Sequence, residues 1–379
     1  MIQLRFNEEQ QELARIAKSF AQKHCQPTRL RALRDSNDPL QYTPEVWKQM
    51  AELGWLAVHI PEAYGGVELG FAELAIILEA VGAGLAPEPL ISSLVLGAVP
   101  ILEGGSDAQK EAYLPQIADG SRIFTLAHQE QPADYDRFLS ETTAQEQDGT
   151  WVLNGAKCHV LDAGNATDIL VVARTSGEAR DREGLSIFLI DPEASGVTLE
   201  ALNRIDSRNA AHLTLKDVQA KDVIGEIGQA ADLIDATLDR ATIAICAEAL
   251  GALQHAFDIS IEYIKERVQF DVPIGSFQAL QHRAADLFAE VELARSITIA
   301  AARAVDQDPS LVPELAAAAK ATIDETFLHV AREGIQFHGG VGVTDEYDIG
   351  LYLKRAHVVA STFGDADWQR DRWATLRGY

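Results

Sequence analysis

Two stretches carry the reading of this chain: RVQFDVPIGSFQALQH, Arg267 to His282, and IQFHGGVGVTDEY, Ile335 to Tyr347. The first places an arginine at the junction of a loop and a helix. The second places a Gly-Gly pair at the end of a long helical run. A guanidinium fork suits two phosphate oxygens. A glycine pair lets a pyrophosphate come close to backbone amides. Each segment also has a plainer reading: Arg267 as a surface ion pair with Glu262 or Glu266, and Gly339-Gly340 as a helix C-cap.

Outward from these stretches the pattern is helical. Leu280, Ala284, Leu287, Phe288, Val291, Ala294 and Ile297 trace one face, and an alanine-rich helix is predicted from Pro313 to about Phe337. Long helices with short joins suggest a four-helix bundle over 226–379. Before it, IFTLAH, WVLNGAKCHV, DILVVAR, LSIFLI and HLTLKDV are short and rich in branched residues. Asp148-Gly149, Asn154-Gly155 and Glu183-Gly184 lie between or within them. This spacing suggests a small antiparallel barrel or sandwich over 121–225.

Residues 1–120 read as helical. Asn7 with Gln10 and Ser106 with Gln109 have capping-box spacing. Thr43-Pro44 opens a helix that Gly54 closes. Leu13, Ile16, Ala17 and Phe20 fall on one face, and Leu74, Ile77, Leu78 and Val81 make another stripe.

The chain has 379 residues and is 47% hydrophobic, enough for two or three domains and a substantial core. Its 32 Lys+Arg against 57 Asp+Glu give a formal net charge of -25, with no basic run. That argues against nucleic acid and against an anionic membrane surface as partners. An anionic small ligand needs only a local basic patch. No apolar stretch is long enough for a spanning helix, and MIQLRFNEEQ lacks a signal-peptide run. Cys25, Cys158 and Cys246 have no CxxC or metal spacing. A cytoplasmic setting with three buried thiols is expected. No Ser-His-Asp or metal constellation is evident.

With DRATIAICAEALG before the first stretch and TFGDADWQRDR near the end, the chain resembles the acyl-CoA dehydrogenase family over nearly its whole length. It is most similar to the branch of the pimeloyl-CoA dehydrogenase small subunit and of sterol side-chain acyl-CoA enzymes. The resemblance implies an α+β fold: an N-terminal helical domain (1–120), a middle β-barrel (121–225) and a C-terminal four-helix bundle (226–379). It also implies FAD as cofactor, an acyl-CoA substrate and an electron-transfer flavoprotein as partner. The assembly would be a homotetramer or a two-plus-two heterotetramer with FAD sites shared between subunits. Arg267 would then reach the pyrophosphate of a neighbouring subunit's FAD. Phe270 would lie on the adenine side and Gln278 would hydrogen-bond the cofactor. Gln336, Gly339 and Gly340 would form the second segment, continued by Thr344, Glu346 and Tyr347. In the implied reaction a carboxylate takes the α-proton while the β-hydride passes to flavin N5.

Three departures from the family pattern bear on this expectation. Asp271 stands where glycine is usual. The segment His128 to Asp136 lacks the family's flavin-binding threonine, leaving the amides of Gln129 to Gln131 to serve. The usual catalytic glutamate position falls on Gly364, with Asp365 beside it. In some members the base instead precedes a helix arginine, which here selects Asp239 before Arg240. Asp239 and Asp365 are therefore the two candidate bases. The plainer reading of Asp239 is a helix-start carboxylate paired with Arg240. If neither acts, the chain is a non-catalytic structural subunit that completes a partner's FAD site.

Overall fold

The computed structural model describes residues 4–36, 38–132 and 134–379. The first three residues of the MIQLRFNEEQ terminus and Ala133 of the 128–136 segment lie outside them. The N-terminal helices are α1 (Glu8–His24), α2 (Pro27–Ser36), α3 (Pro44–Glu52), α4 (Phe71–Ala83), α5 (Ala98–Gly104) and α6 (Asp107–Ala118). Both expected capping boxes form. Asn7 Oδ1 accepts the Gln10 amide at 2.7 Å, and Gln10 Oε1 accepts the Asn7 amide at 3.2 Å. Ser106 and Gln109 make the same exchange at the start of α6. Gly54 follows α3 with φ of +74°. The buried face of α1 is Gln10, Ala17 and Ala21, while Ile16 stays 40% exposed. It is rotated from the expected stripe because Gln10 turns inward. Its amide donates to Glu73 Oε1 at 2.7 Å, and its carbonyl accepts from Arg303 Nη2 at 2.8 Å.

The strands are β1 (Phe124–Ala127), β2 (Thr143–Gln147), β3 (Thr150–Leu161), β4 (Asp168–Arg174), β5 (Leu185–Ile190), β6 (Val197–Ala201), β7 (Ala210–Gln219) and β8 (Asp222–Ile224). They form one sheet in the order β6-β7-β3-β2-β4-β5-β8, with β1 on β4. The β1–β4 and β2–β4 pairings are parallel. Among the described residues no pairing joins β6 to β8, so an open mixed sheet stands where the spacing suggested an antiparallel barrel or sandwich and the resemblance implied a barrel. The physical reason lies in β4 and β5, which are buried along their whole length. Strands of that kind need cover on both faces. Beside β4 runs β1, on which a π-helical turn, Ile91–Gly97, packs at backbone distance. A Cβ at Gly97 would lie 2.3 Å from Phe124 Cβ. Asp148 and Gly149, at φ +51° and +81°, make the two-residue turn between β2 and β3.

The C-terminal part contains α7 (Ala231–Glu266), a hairpin of β9 (Val268–Gln269) and β10 (Val272–Pro273), then α8 (Gln278–Gln307), α9 (Val312–His338), α10 (Ile349–Ala360) and α11 (Ala366–Leu376). Leu287, Val291 and Ala294 of the expected α8 stripe are buried, but Phe288 is 56% exposed.

By packing, the chain divides into two compact units: 1–32, 71–86 and 242–379; and 33–70 with 87–241. In the first, α4 and α7 meet at backbone contact. A Cβ at Gly82 would fall 2.0 Å from the Glu248 carbonyl oxygen, and one at Gly251 would fall 1.8 Å from that of Glu79. The second holds the sheet and its covering helices. Among the described residues no helix is long and apolar enough to cross a membrane, and no His/Cys/Asp/Glu group could hold a metal ion. The three cysteines are buried thiols.

Candidate cofactor and catalytic sites

In the first unit, one end of the bundle gathers the cofactor candidates. Arg267 directly follows α7, its amide bonded to the Tyr263 carbonyl at 2.9 Å and its own carbonyl accepting from Ile274 at 2.8 Å. Tyr263 stacks on His338 of α9, ring centroids 4.2 Å apart, and both rings meet Tyr347 edge-on. His338 Nδ1 is 2.7 Å from the Gly334 carbonyl. Arg283 of α8 pairs with Glu333 and lies over the Phe337 ring at 5.3 Å. These contacts lock the end of α7, the start of α8 and the end of α9 together. Sequence reading missed Tyr263 as the joining residue. Its one signal was an aromatic a helical turn before Arg267.

Around this lock the candidates face outward. Arg267, Phe270, Gln278, Gln336, Gly339 and Gly340 are all exposed, Phe270 by 87%. Glu262, one carboxylate considered for Arg267, bonds Lys265 at 2.7 Å instead. Gly339 sits at φ +63°, ψ −139°, a conformation that is essentially glycine's alone. Nothing lies within 4 Å of where a Cβ would stand on Gly339 or Gly340. An accessible guanidinium and an open glycine backbone on one bundle end fit an anionic pyrophosphate. Full exposure of the set also fits a site that a second polypeptide completes.

The hairpin turn carries strain. Phe270 and Asp271 have φ of +53° and +62°, the two positions where such a turn prefers Asn-Gly. Asp271→Gly is expected to leave thermal stability nearly unchanged. Relief of about 1 kcal/mol of left-handed strain offsets a similar loss of unfolded-chain restriction. If this bundle end holds an FAD pyrophosphate, as the resemblance implies, loss of the Asp271 carboxylate should tighten FAD binding severalfold at low salt, and the gain should shrink as salt is added. Fluorescence titration of the apoprotein reads this.

In the second unit, the segment after β1 is pinned from beneath. Glu130 is buried and accepts from the amides of Glu141 and Thr142 at 2.7 and 3.1 Å. Lys157 Nζ, also buried, lies 2.5 Å from Glu130 Oε1. Burial works to raise the Glu130 carboxyl, but the Lys157 charge and these hydrogen bonds outweigh it and hold it below its ordinary value. Burial pushes His128 down to about 3, helped by the charges of Lys157 and Arg137, so its ring is neutral near pH 7. The Gln129 carbonyl accepts from the Cys158 amide at 2.8 Å, which ties this segment to β3.

Asp239 of α7 is 2% exposed. Its Oδ1 lies 2.8 Å from Nη1 of Arg137, which also approaches Asp235 Oδ1 at 3.2 Å. The pairing with Arg240 considered from the sequence gives way to this one, since Arg240 Nη2 turns to Glu103 at 2.5 Å. Arg137 was not among the residues singled out from the sequence. Only folding brings the β1–β2 segment to α7.

Asp365, in the first unit, is exposed and caps α11: its Oδ1 accepts the Trp368 amide at 2.9 Å. The turn before it is built around Gly364 at φ +99°. Buried Lys320 donates to the Gly364 carbonyl at 2.9 Å and to Asp324 Oδ2 at 2.5 Å, and Gln369 Nε2 donates to the Phe363 carbonyl at 2.7 Å. Burial raises Asp324 to about 7 against the opposing charge of Lys320. A Cβ at Gly364 would stand 2.5 Å from Trp368 Cε3 and 3.0 Å from Gln369 Nε2. Gly364→Ala is therefore expected to cost roughly 1–3 kcal/mol, seen as a lower denaturant midpoint. Gly364→Glu should not restore a base at this turn.

The N-terminal, middle and C-terminal domain models of acyl-CoA dehydrogenase match residues 7–121, 124–218 and 231–375. The chain belongs to the acyl-CoA dehydrogenase family. The probable acyl-CoA dehydrogenase YngJ of Bacillus subtilis is 31% identical over 369 residues, 96% of each chain. Among solved structures, a variant of the steroid ACAD Tcur3481-Tcur3483 is 34% identical with a TM-score of 0.88, covering 98% of both chains. The ChsE4-ChsE5 complex of Mycobacterium tuberculosis is 27% identical with a TM-score of 0.89, covering 100% of both. This family acts on the CH–CH bond of acyl-CoA thioesters. The resemblance called for an arginine and a glycine pair toward a pyrophosphate and for a carboxylate before a helix arginine; the structure leaves Arg267, Gly339 and Gly340 exposed on one bundle end and buries Asp239 on α7.

Proposed function

We propose that this chain is an FAD-dependent subunit that converts an acyl-CoA thioester to its 2,3-enoyl-CoA within a tetramer. The observation that carries the reading is the locked bundle end, where Arg267 and the open Gly339-Gly340 backbone face outward together. Bound FAD supplies the acceptor for the hydride that leaves the β-carbon. Arg267 and the glycine amides hold its pyrophosphate, Phe270 and Gln278 flank it, and Gln336 adds a hydrogen bond. Asp239 takes the α-proton, its low exposure favouring proton transfer without competing water. Asp365 serves as a cap. Likeness to the steroid ACAD and to ChsE4-ChsE5 supports a bulky acyl group, such as a sterol side chain, and a two-plus-two assembly. An electron-transfer flavoprotein would accept the electrons. The test is turnover of butyryl-, octanoyl-, pimeloyl- and sterol side-chain CoA with a dye acceptor, read as enoyl-CoA by mass. No product from any of them, with or without a co-expressed homologue, rejects the reading.

A second reading, a structural subunit completing a partner's FAD site, draws support from the side-chain-free Gly364 and the engagement of Asp239 with Arg137. Under it, Asp239→Asn combined with Asp365→Asn leaves the activity of the assembled complex intact.

A further inference from the structure

We infer that Lys157 is a positioning residue for the flavin: it braces the segment after β1 so that the backbone amides of Gln129 and Glu130 are presented as donors to the ring. The inference rests on the proposed FAD reading and concerns the second unit alone. Lys157 lies on β3 and is 1% exposed. All of its ammonium donors are used. The His128 carbonyl accepts at 3.3 Å, Glu130 Oε1 at 2.5 Å and Ser140 Oγ at 3.3 Å.

The far side of this brace is fixed. Glu130 accepts from the Glu141 and Thr142 amides. The Ser140 amide donates to the Ala179 carbonyl at 2.9 Å, and the Thr142 carbonyl accepts from the Arg174 amide of β4 at 2.8 Å. Thr142 Oγ1 donates to the Ala156 carbonyl of β3 at 3.3 Å. The near side is the segment itself. In a trans peptide the carbonyl and the following N–H point in opposite directions. The bonds from His128 to Gln129 and from Gln129 to Glu130 are trans. With the His128 carbonyl drawn to Lys157, the Gln129 N–H faces away from the ammonium. With the Gln129 carbonyl drawn to the Cys158 amide at 2.8 Å, the Glu130 N–H faces away from β3. Among the described residues neither amide donates to a protein group. Glu130 is only 5% exposed, and a backbone donor shielded from water calls for an acceptor. The carbonyl and nitrogen acceptors of a flavin ring are of that kind.

The test uses the assembled protein, with its co-expressed homologue if assembly needs one. Lys157→Met should weaken FAD binding by about tenfold or more, since two amide donors lose their aim. The midpoint potential of the flavin that still binds should become more negative, because N–H donors favour the electron-rich reduced ring. This variant also strands the Glu130 carboxylate, so its melting temperature should fall. Adding Glu130→Gln removes the stranded charge while a side-chain carbonyl still accepts from the Glu141 and Thr142 amides. The melting temperature should then recover, and the affinity and the potential should not. Recovery of all three together, or wild-type affinity and potential in Lys157→Met, overturns the inference. Hydrogen exchange of the wild-type protein, read by mass on a peptide covering 124–131, needs no variant to fold. FAD should slow exchange in that peptide, and an unchanged peptide overturns the inference. A wild-type assembly that binds no FAD rejects the cofactor reading itself, whereas wild type replete with FAD beside an unaffected Lys157→Met rejects only the role of Lys157.

Discussion

Asp239→Asn is expected to slow flavin reduction by acyl-CoA by about 10²- to 10⁴-fold, the usual contribution of a positioned general base. The substitution keeps shape and volume, so the packing of α7 should survive. Arg137 loses one anionic partner but retains Asp235 at 3.2 Å, which limits the cost in stability to roughly 1–3 kcal/mol. Flavin content and assembly should match wild type. The maximal rate and the rate at low substrate should fall together, because the lost interaction is made in the transition state. Asp365→Asn gives the contrast. Its carboxylate caps α11 through the Trp368 amide, and asparagine caps a helix about as well. Stability and rate should both stay near wild type. If the two variants exchange behaviours, the base lies on the 363–365 turn and the assignment to α7 is wrong.

Arg267→Met is expected to weaken FAD binding by about a hundredfold or more. Two charge-assisted hydrogen bonds to phosphate are worth roughly 1.5–3 kcal/mol each. The backbone around position 267 is held by Tyr263 and Ile274 independently of the guanidinium, so the bundle end should keep its shape. Circular dichroism should be unchanged while the purified protein loses its visible absorption. Arg267→Lys should recover part of the binding, since it keeps the charge but loses the fork. In a shared site the defect should appear in the neighbouring subunit's flavin. Mixing this variant with a flavin-competent partner chain would show which site goes empty.

Much of the fold is local enough to be legible in the sequence. The Asn7–Gln10 and Ser106–Gln109 caps and the Asp148-Gly149 hairpin each follow from side chains a few positions apart. The long apolar stripes likewise mark the helices of the bundle. Three strands of the sheet were missed: β8 spans three residues, β2 reads TAQEQ, and β6 reads VTLEA. β8 and β2 lack the apolar alternation that identifies a strand; β6 has it, but over only five residues that follow a turn. The open mixed sheet was missed because register and parallel pairing are set across the sheet, and no local run encodes them. The places of Arg267, Gln336 and the glycine pair at a helix end and a turn were legible because turn chemistry and helix ends confine them. The Tyr263–His338 stack and the Arg137–Asp239 pair were not, since each joins elements far apart in the chain. Gln10 on α1 went the same way: its inward turn depends on Glu73 and Arg303, which no helical periodicity could reveal.

The most direct test of the central claim is the visible spectrum of the purified chain, alone and with a co-expressed homologue, before and after anaerobic addition of the acyl-CoA probes. The account predicts a yellow protein with bound FAD whose absorption near 450 nm bleaches with at least one probe, as expected of two-electron reduction of a bound flavin. A protein that takes up no flavin in either form, or one whose flavin stays oxidised with every probe, would contradict it.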